Sequence, residues 1–195
     1  MEEKQKSLIL TNIKNKIAAC NKCVLCKNRV RAVVGRGNPN AQVMLCGESG
    51  GVSENQVGKP FVGRCGMLLS RMLVEAGIDE DDLYITNIVK CSPPNNRKPK
   101  RDEIDACKRF LAEELWLIKP IIVIALGQTA ASLFMQSKEK IGKLVGQEKE
   151  QYYGYTVIPA FHPAYILRNP SRKDPNKPYL RNLAIFKDIK ERFFA

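Results

Sequence analysis

Short apolar runs alternate with longer segments of helical period along most of the chain. Four runs read as buried strands: Val43–Cys46, Leu83–Val89, Ile121–Ala125 and Thr156–Phe161, all short and rich in β-branched, aromatic or other apolar side chains. Between them, Gly66–Ala76 sets Leu69, Met72, Leu73 and Ala76 on one helix face and stops at Gly77. Arg101–Ile118 places Ile104, Cys107, Leu111, Leu115 and Ile118 at spacings of three, four, four and three, a single apolar stripe closed by Pro120. Gln128–Met135 follows the third strand, Leu8–Ala19 reads as helical, and a last helix runs from about Tyr179 to Phe194. Strands alternating with helices predict an α/β fold: three layers, α/β/α, around a central, mainly parallel four-stranded sheet. With 195 residues and no repeat or low-complexity linker, one domain spanning residues 1–195 is expected, with an N-terminal arm of about residues 1–30.

In open α/β sheets ligands bind beyond the carboxyl ends of the strands, so the residues there matter most. The first strand runs into Gly47-Glu48-Ser49-Gly50-Gly51, the second holds Thr86-Asn87 near its end, the third gives Gly127-Gln128 and the fourth His162-Pro163. Glu48, Asn87 and His162 are therefore expected at one rim. His162 is the only histidine.

Charge changes the picture of the partner. Lys and Arg total 32 against 20 Asp and Glu, a net charge of +12, which favours a polyanion such as nucleic acid over a neutral ligand. A Lys-rich solvated surface is the plainer explanation. No apolar run approaches the roughly 20 residues of a membrane span, and Met1-Glu2-Glu3-Lys4 lacks the apolar core of a signal peptide. A soluble, cytoplasmic protein without membrane contact is expected.

Seven cysteines are an odd number for a disulfide framework. Cys20 and Cys23 form a C-x-x-C pair, Cys91 follows the second strand, and Cys107 lies in the long helix. Four thiolates from these elements suit zinc or an iron–sulfur cluster, while Cys107 also fits the core as part of the apolar stripe. Cys46 and Cys65 read as core residues, and Cys26 overlaps the pair as an alternative ligand.

Five stretches in order identify a relative. They are Cys20-x-x-Cys23, Val34-Gly35-Arg36-Gly37-Asn38-Pro39, Gly58-Lys59-Pro60-Phe61-Val62-Gly63, Ile85-Thr86-Asn87-Ile88-Val89-Lys90-Cys91, and His162-Pro163-Ala164-Tyr165-Ile166-Leu167-Arg168-Asn169-Pro170. Together they resemble the family 4 uracil-DNA glycosylases, over nearly the whole chain. The resemblance implies hydrolysis of the N-glycosidic bond of uracil in DNA by a monomeric, nucleoid-associated repair enzyme. It also implies a 4Fe–4S cluster on Cys20, Cys23, Cys91 and Cys107, which would pin the N-terminal arm and leave Cys26 outside.

The resemblance further implies that Phe61 stacks on a flipped base and that Asn87, whose amide both donates and accepts, reads the uracil edge. His162 would stabilise the departing uracil anion, and Glu48 or Glu54 would handle the water or the positive charge on the sugar. Leu167 and Arg168 would enter and grip the DNA. Basic residues around Lys90, Arg97–Arg101 and Arg168–Lys173 would meet phosphates. The chain departs from the family at Ser49-Gly50, where Gly-Pro or Ala-Pro is usual, at Glu54-Asn55 and at Val145-Gly146. Ser49 adds a hydroxyl beside the expected base. Another deaminated base as substrate, or a DNA-binding iron–sulfur protein with little catalysis, are the alternatives.

Overall fold

The computed structural model describes residues 3–151, 154–169, 174 and 177–194. Its elements in chain order are α1 (Glu3–Ala18), β1 (Arg36–Gly37), β2 (Val43–Ser49), α2 (Val52–Val57), α3 (Arg64–Ala76), β3 (Tyr84–Val89), α4 (Arg101–Ile118), β4 (Ile122–Leu126), α5 (Gln128–Met135), α6 (Ile141–Leu144), β5 (Lys149–Gln151), β6 (Tyr155–Ala160), α7 (Pro163–Arg168) and α8 (Pro178–Phe193). The sheet order is β1-β3-β2-β4-β6-β5. The four central strands pair in parallel, as the buried apolar runs require.

The sheet differs from the four-stranded expectation at its edges. β1 and β5 add antiparallel pairings to β3 and β6. These strands have two and three residues and carry no apolar alternation, so periodicity gives no sign of them. α2, α6 and α7, of six, four and six residues, are also short and were not expected.

Alternation along the strands sorts side chains between two cores. Met44 and Cys46 face α1, α4 and α5 with Phe110, Leu111 and Phe134. Val43 and Leu45 face α3, α7 and α8 with Leu69, Met72 and Phe186. Phe193 and Phe194, partly buried, pack the end of the last helix onto this second core. The connection leaving β2 runs through α3 on one face and that leaving β4 through α5 on the other. Neighbouring strands whose connections part in this way open a crevice at their carboxyl ends.

Candidate active site

That crevice is a cleft of ≈ 690 Å³ lined by all three expected rim residues, Glu48, Asn87 and His162, joined by Ser49, Glu54, Phe61 and Arg168. Its floor is open because Gly47 has no side chain. In register with Asn87 on the neighbouring strand, a Cβ at Gly47 would stand 2.4 Å from Asn87 Oδ1 and 2.7 Å from Phe61 Cζ.

Asn87 is 2% exposed, and its Oδ1 is the one buried side-chain nitrogen or oxygen without a partner among the described residues. A buried orphan of this kind costs about 1–3 kcal/mol. Folding tolerates it where a ligand supplies the missing bond.

Phe61 adopts a left-handed backbone, φ 53°, unusual for a bulky residue. Its loop is held from several sides. Glu54 Oε1 accepts the N–H groups of Val62 (2.9 Å) and Gly63 (2.8 Å), Glu54 Oε2 accepts that of Gly51 (2.9 Å), and Arg36 Nε donates to Pro60 O (3.2 Å). Glu54 is thus engaged at both oxygens by main-chain donors and ties the loop after β2 to the Phe61 loop. Glu54→Ala is expected to lower stability by about 3 kcal/mol, from the loss of charge-assisted bonds, read as a fall in the thermal midpoint. Glu48, by contrast, lines the cleft and accepts a single side-chain bond among the described residues, from Thr129 Oγ1.

His162 caps α7: its Nδ1 accepts the Ala164 N–H at 3.1 Å. In a neutral imidazole the other nitrogen then carries the proton, so Nε2–H is a donor without a partner among the described residues. Burial, aided by the charge of Arg168, pushes the His162 pKa down to about 4. The ring lies 5.9 Å from that of Phe61, tilted by 34°. Gly127, φ 93°, lets the chain after β4 pass against it: a Cβ there would meet His162 Cβ at 2.9 Å.

The sequence also assigned roles that the structure revises. Lys90 was expected on phosphates but is 1% exposed and paired with Glu114. Arg97 is held by both oxygens of Glu103. Cys65, expected in the core, is half-buried and lines the cleft. Residues 170–173 of the basic stretch lie outside the described residues. Arg168 lines the cleft from α7, and Leu167 stands 38% exposed beside it. Lys98, from the expected basic stretch, reaches the cleft, and Arg64 and Asn96 reach it unannounced. Thr129 was also missed, although the strand-end rule that found Gly127-Gln128 points to the same turn.

Cys20, Cys23, Cys91 and Cys107 line one small cavity together with Cys26, and Ile17, Val89, Ala106 and Phe110 supply its apolar walls. Two donors reach its sulfurs: Arg29 Nη1 to Cys91 (3.3 Å) and the Lys90 N–H to Cys107 (3.2 Å). Burial pushes the Cys107 thiol up to about 11 and raises Cys23 and Cys91 by the same cause. Among the described residues no three Cys, His, Asp or Glu side chains converge closely enough for a single metal ion. Four thiols spread around an apolar cavity fit a polynuclear group, which takes its ligands at separate corners.

Comparisons with known proteins agree with this geometry. A family model described as the uracil DNA glycosylase superfamily matches residues 34–184. The chain is 44% identical over 162 residues to the type-4 uracil-DNA glycosylase of Thermotoga maritima, covering 83% of this chain and 84% of that one. It is 43% identical over 166 residues to the type-4 uracil-DNA glycosylase of Saccharolobus solfataricus, covering 81% and 77%. A type-5 uracil-DNA glycosylase of Thermus thermophilus is 37% identical over 115 residues, covering 51% and 52%. With relatives this similar along most of both lengths, the chain belongs to the uracil-DNA glycosylase superfamily, in its type-4 family.

Proposed function

We propose that the protein is a monofunctional uracil-DNA glycosylase that removes uracil from DNA by hydrolysis. One observation carries the proposal: a buried, unpartnered Asn87 amide oxygen shares a cleft with a neutral imidazole whose Nε2–H has no partner among the described residues. Such a pair suits a ligand with one edge to be read and one oxygen that gains negative charge.

The uracil leaves the DNA stack and enters the cleft. Phe61 stacks on its face. The Asn87 amide donates to O4 and accepts from N3–H, a pattern that cytosine inverts. As the C1′–N1 bond breaks, its electron pair moves into the uracil ring. The His162 Nε2–H donates to O2, where that charge gathers. Glu48 orients the water and offsets positive charge on the sugar, since both oxygens of Glu54 are engaged. The water oxygen bonds to C1′, one of its protons ends on the released uracil, and an abasic site remains. Ser49 stands beside the base and tunes its fit. Leu167 enters the gap in the stack, with Arg168, Arg64 and Lys98 on the phosphates.

Cys20, Cys23, Cys91 and Cys107 would hold a 4Fe–4S cluster, whose contribution would be structural. Those ligands would tie the N-terminal arm to the segment after β3 and to α4, within a chain that we read as a single domain acting as a monomer. No helix among the described residues is long and apolar enough to cross a membrane; the working place is the cell interior, on DNA.

If the cluster is held as proposed, the protein binds iron and is brown, and Cys91→Ser is expected to abolish both and to lower its thermal midpoint by more than any surface substitution. Iron analysis, visible absorption and calorimetry check this. Retained iron and colour would remove Cys91 from the ligand set. The function itself is tested by incubating the protein with oligonucleotides bearing one uracil and probing for abasic sites.

A further inference from the structure

A lysine ammonium inside a protein is costly, and the cleft chemistry gives Lys90 nothing to do. Its ammonium nevertheless meets three acceptors: Thr86 Oγ1 at 2.6 Å, Asn87 O at 2.7 Å and Glu114 Oε2 at 2.5 Å. Three donors on three acceptors satisfy it completely. Glu114, fully buried on α4, is completed by Tyr84 Oη (3.1 Å) and Thr86 Oγ1 (2.9 Å). An apolar pair of similar volume is often as stable as a buried ion pair or more so, and stability alone is a weak reason for this one.

Its position supplies a better reason. Lys90 holds the main-chain carbonyl of Asn87, the residue whose side chain is left without a partner in the cleft. The same residue donates its own N–H to Cys107, and its carbonyl accepts from Val33 N at 2.7 Å. Cys91 follows it directly. One residue therefore joins the base-facing strand end, two of the four cysteines and the long helix.

Granted the glycosylase function proposed above, we infer that Lys90 is a positioning residue: with Glu114 it locks the Asn87 peptide to the cysteine site and thereby sets the affinity of the cleft for the uracil base. Recognition of the base then depends on the cysteine site, whereas the grip on phosphates does not.

Lys90→Met alone strands a buried carboxylate, so the test uses the double variant Lys90→Met/Glu114→Gln, which removes both charges at nearly constant shape. A second variant, Thr86→Val, keeps both charges and removes one acceptor. Four quantities are compared with the parent: inhibition by free uracil, affinity for abasic-site DNA, kcat/KM on uracil DNA, and iron content.

The double variant is expected to bind free uracil about tenfold more weakly and to lose kcat/KM by at least that factor, as for about one lost hydrogen bond. Abasic-DNA affinity and iron should be unchanged. Thr86→Val should show the same pattern at about threefold, half that loss in free energy. Parental uracil inhibition in folded variants overturns the inference and leaves the glycosylase function standing. Equal losses in uracil and abasic-DNA binding also overturn it, as general loosening. A parent protein that releases no uracil overturns both.

Discussion

Asn87→Ala is expected to lower kcat/KM for uracil release by about 10³-fold or more, the scale on which a site built to hydrogen-bond its substrate depends on that bond. DNA affinity should change little, because phosphates supply most of it. Stability should move the other way. The Asn87 Oδ1 is buried and unpartnered in the free protein, so removing it relieves a penalty of about 1–3 kcal/mol and the thermal midpoint should hold or rise. A structural asparagine would give the opposite sign. Single-turnover kinetics, a binding titration and a melting curve separate the cases. Asn87→Asp, which keeps the shape and removes the donor, should lose uracil turnover as fully.

His162→Ala is expected to lower the rate of base release by about 10²–10³-fold, the usual loss when one preorganised donor to a developing oxyanion is removed. It also removes the cap on Ala164 N, at about 1 kcal/mol. His162→Asn restores a capping oxygen and should recover the stability without recovering the rate. The pH dependence follows from the burial that pushes His162 down to about 4 from an ordinary value of 6.5. The imidazole is neutral at every pH above that range, so its titration should not shape the rate between about pH 5.5 and 8. A group depressed in the folded state contributes stability that is complete above its unfolded pKa. Stability linked to His162 should therefore be present above about 6.5 and fall as pH drops toward 4. A rate inflection near 6.5 that His162→Asn abolishes would contradict this.

What the sequence disclosed depended on the range of the signal. Strongly periodic elements such as α4 and α5 appear with the bounds their patterns predict. The parallel strands shift by a few residues at most, because buried apolar runs mark them directly. The rim residues were legible because strand ends in this fold class gather at one crevice. The edge strands were too short and polar to leave a pattern. The tasks of charged residues were the least legible. Lys90 and Arg97 look alike in a basic stretch, yet one is sealed behind Glu114 and the other clasped by Glu103. Likewise Glu48 and Glu54 were equivalent on paper. Only the three main-chain donors around Glu54 distinguish a carboxylate that holds a loop from one left open to the cleft. Such pairings join positions far apart in sequence, and local pattern does not encode them.

The central claim is tested most directly by base release from matched oligonucleotides carrying a single uracil, cytosine or hypoxanthine, using protein purified without oxygen. Abasic sites at uracil alone are the predicted result. Absence of release at every base, from protein that retains iron and binds the DNA, would contradict it and leave a nucleic-acid-binding protein in its place.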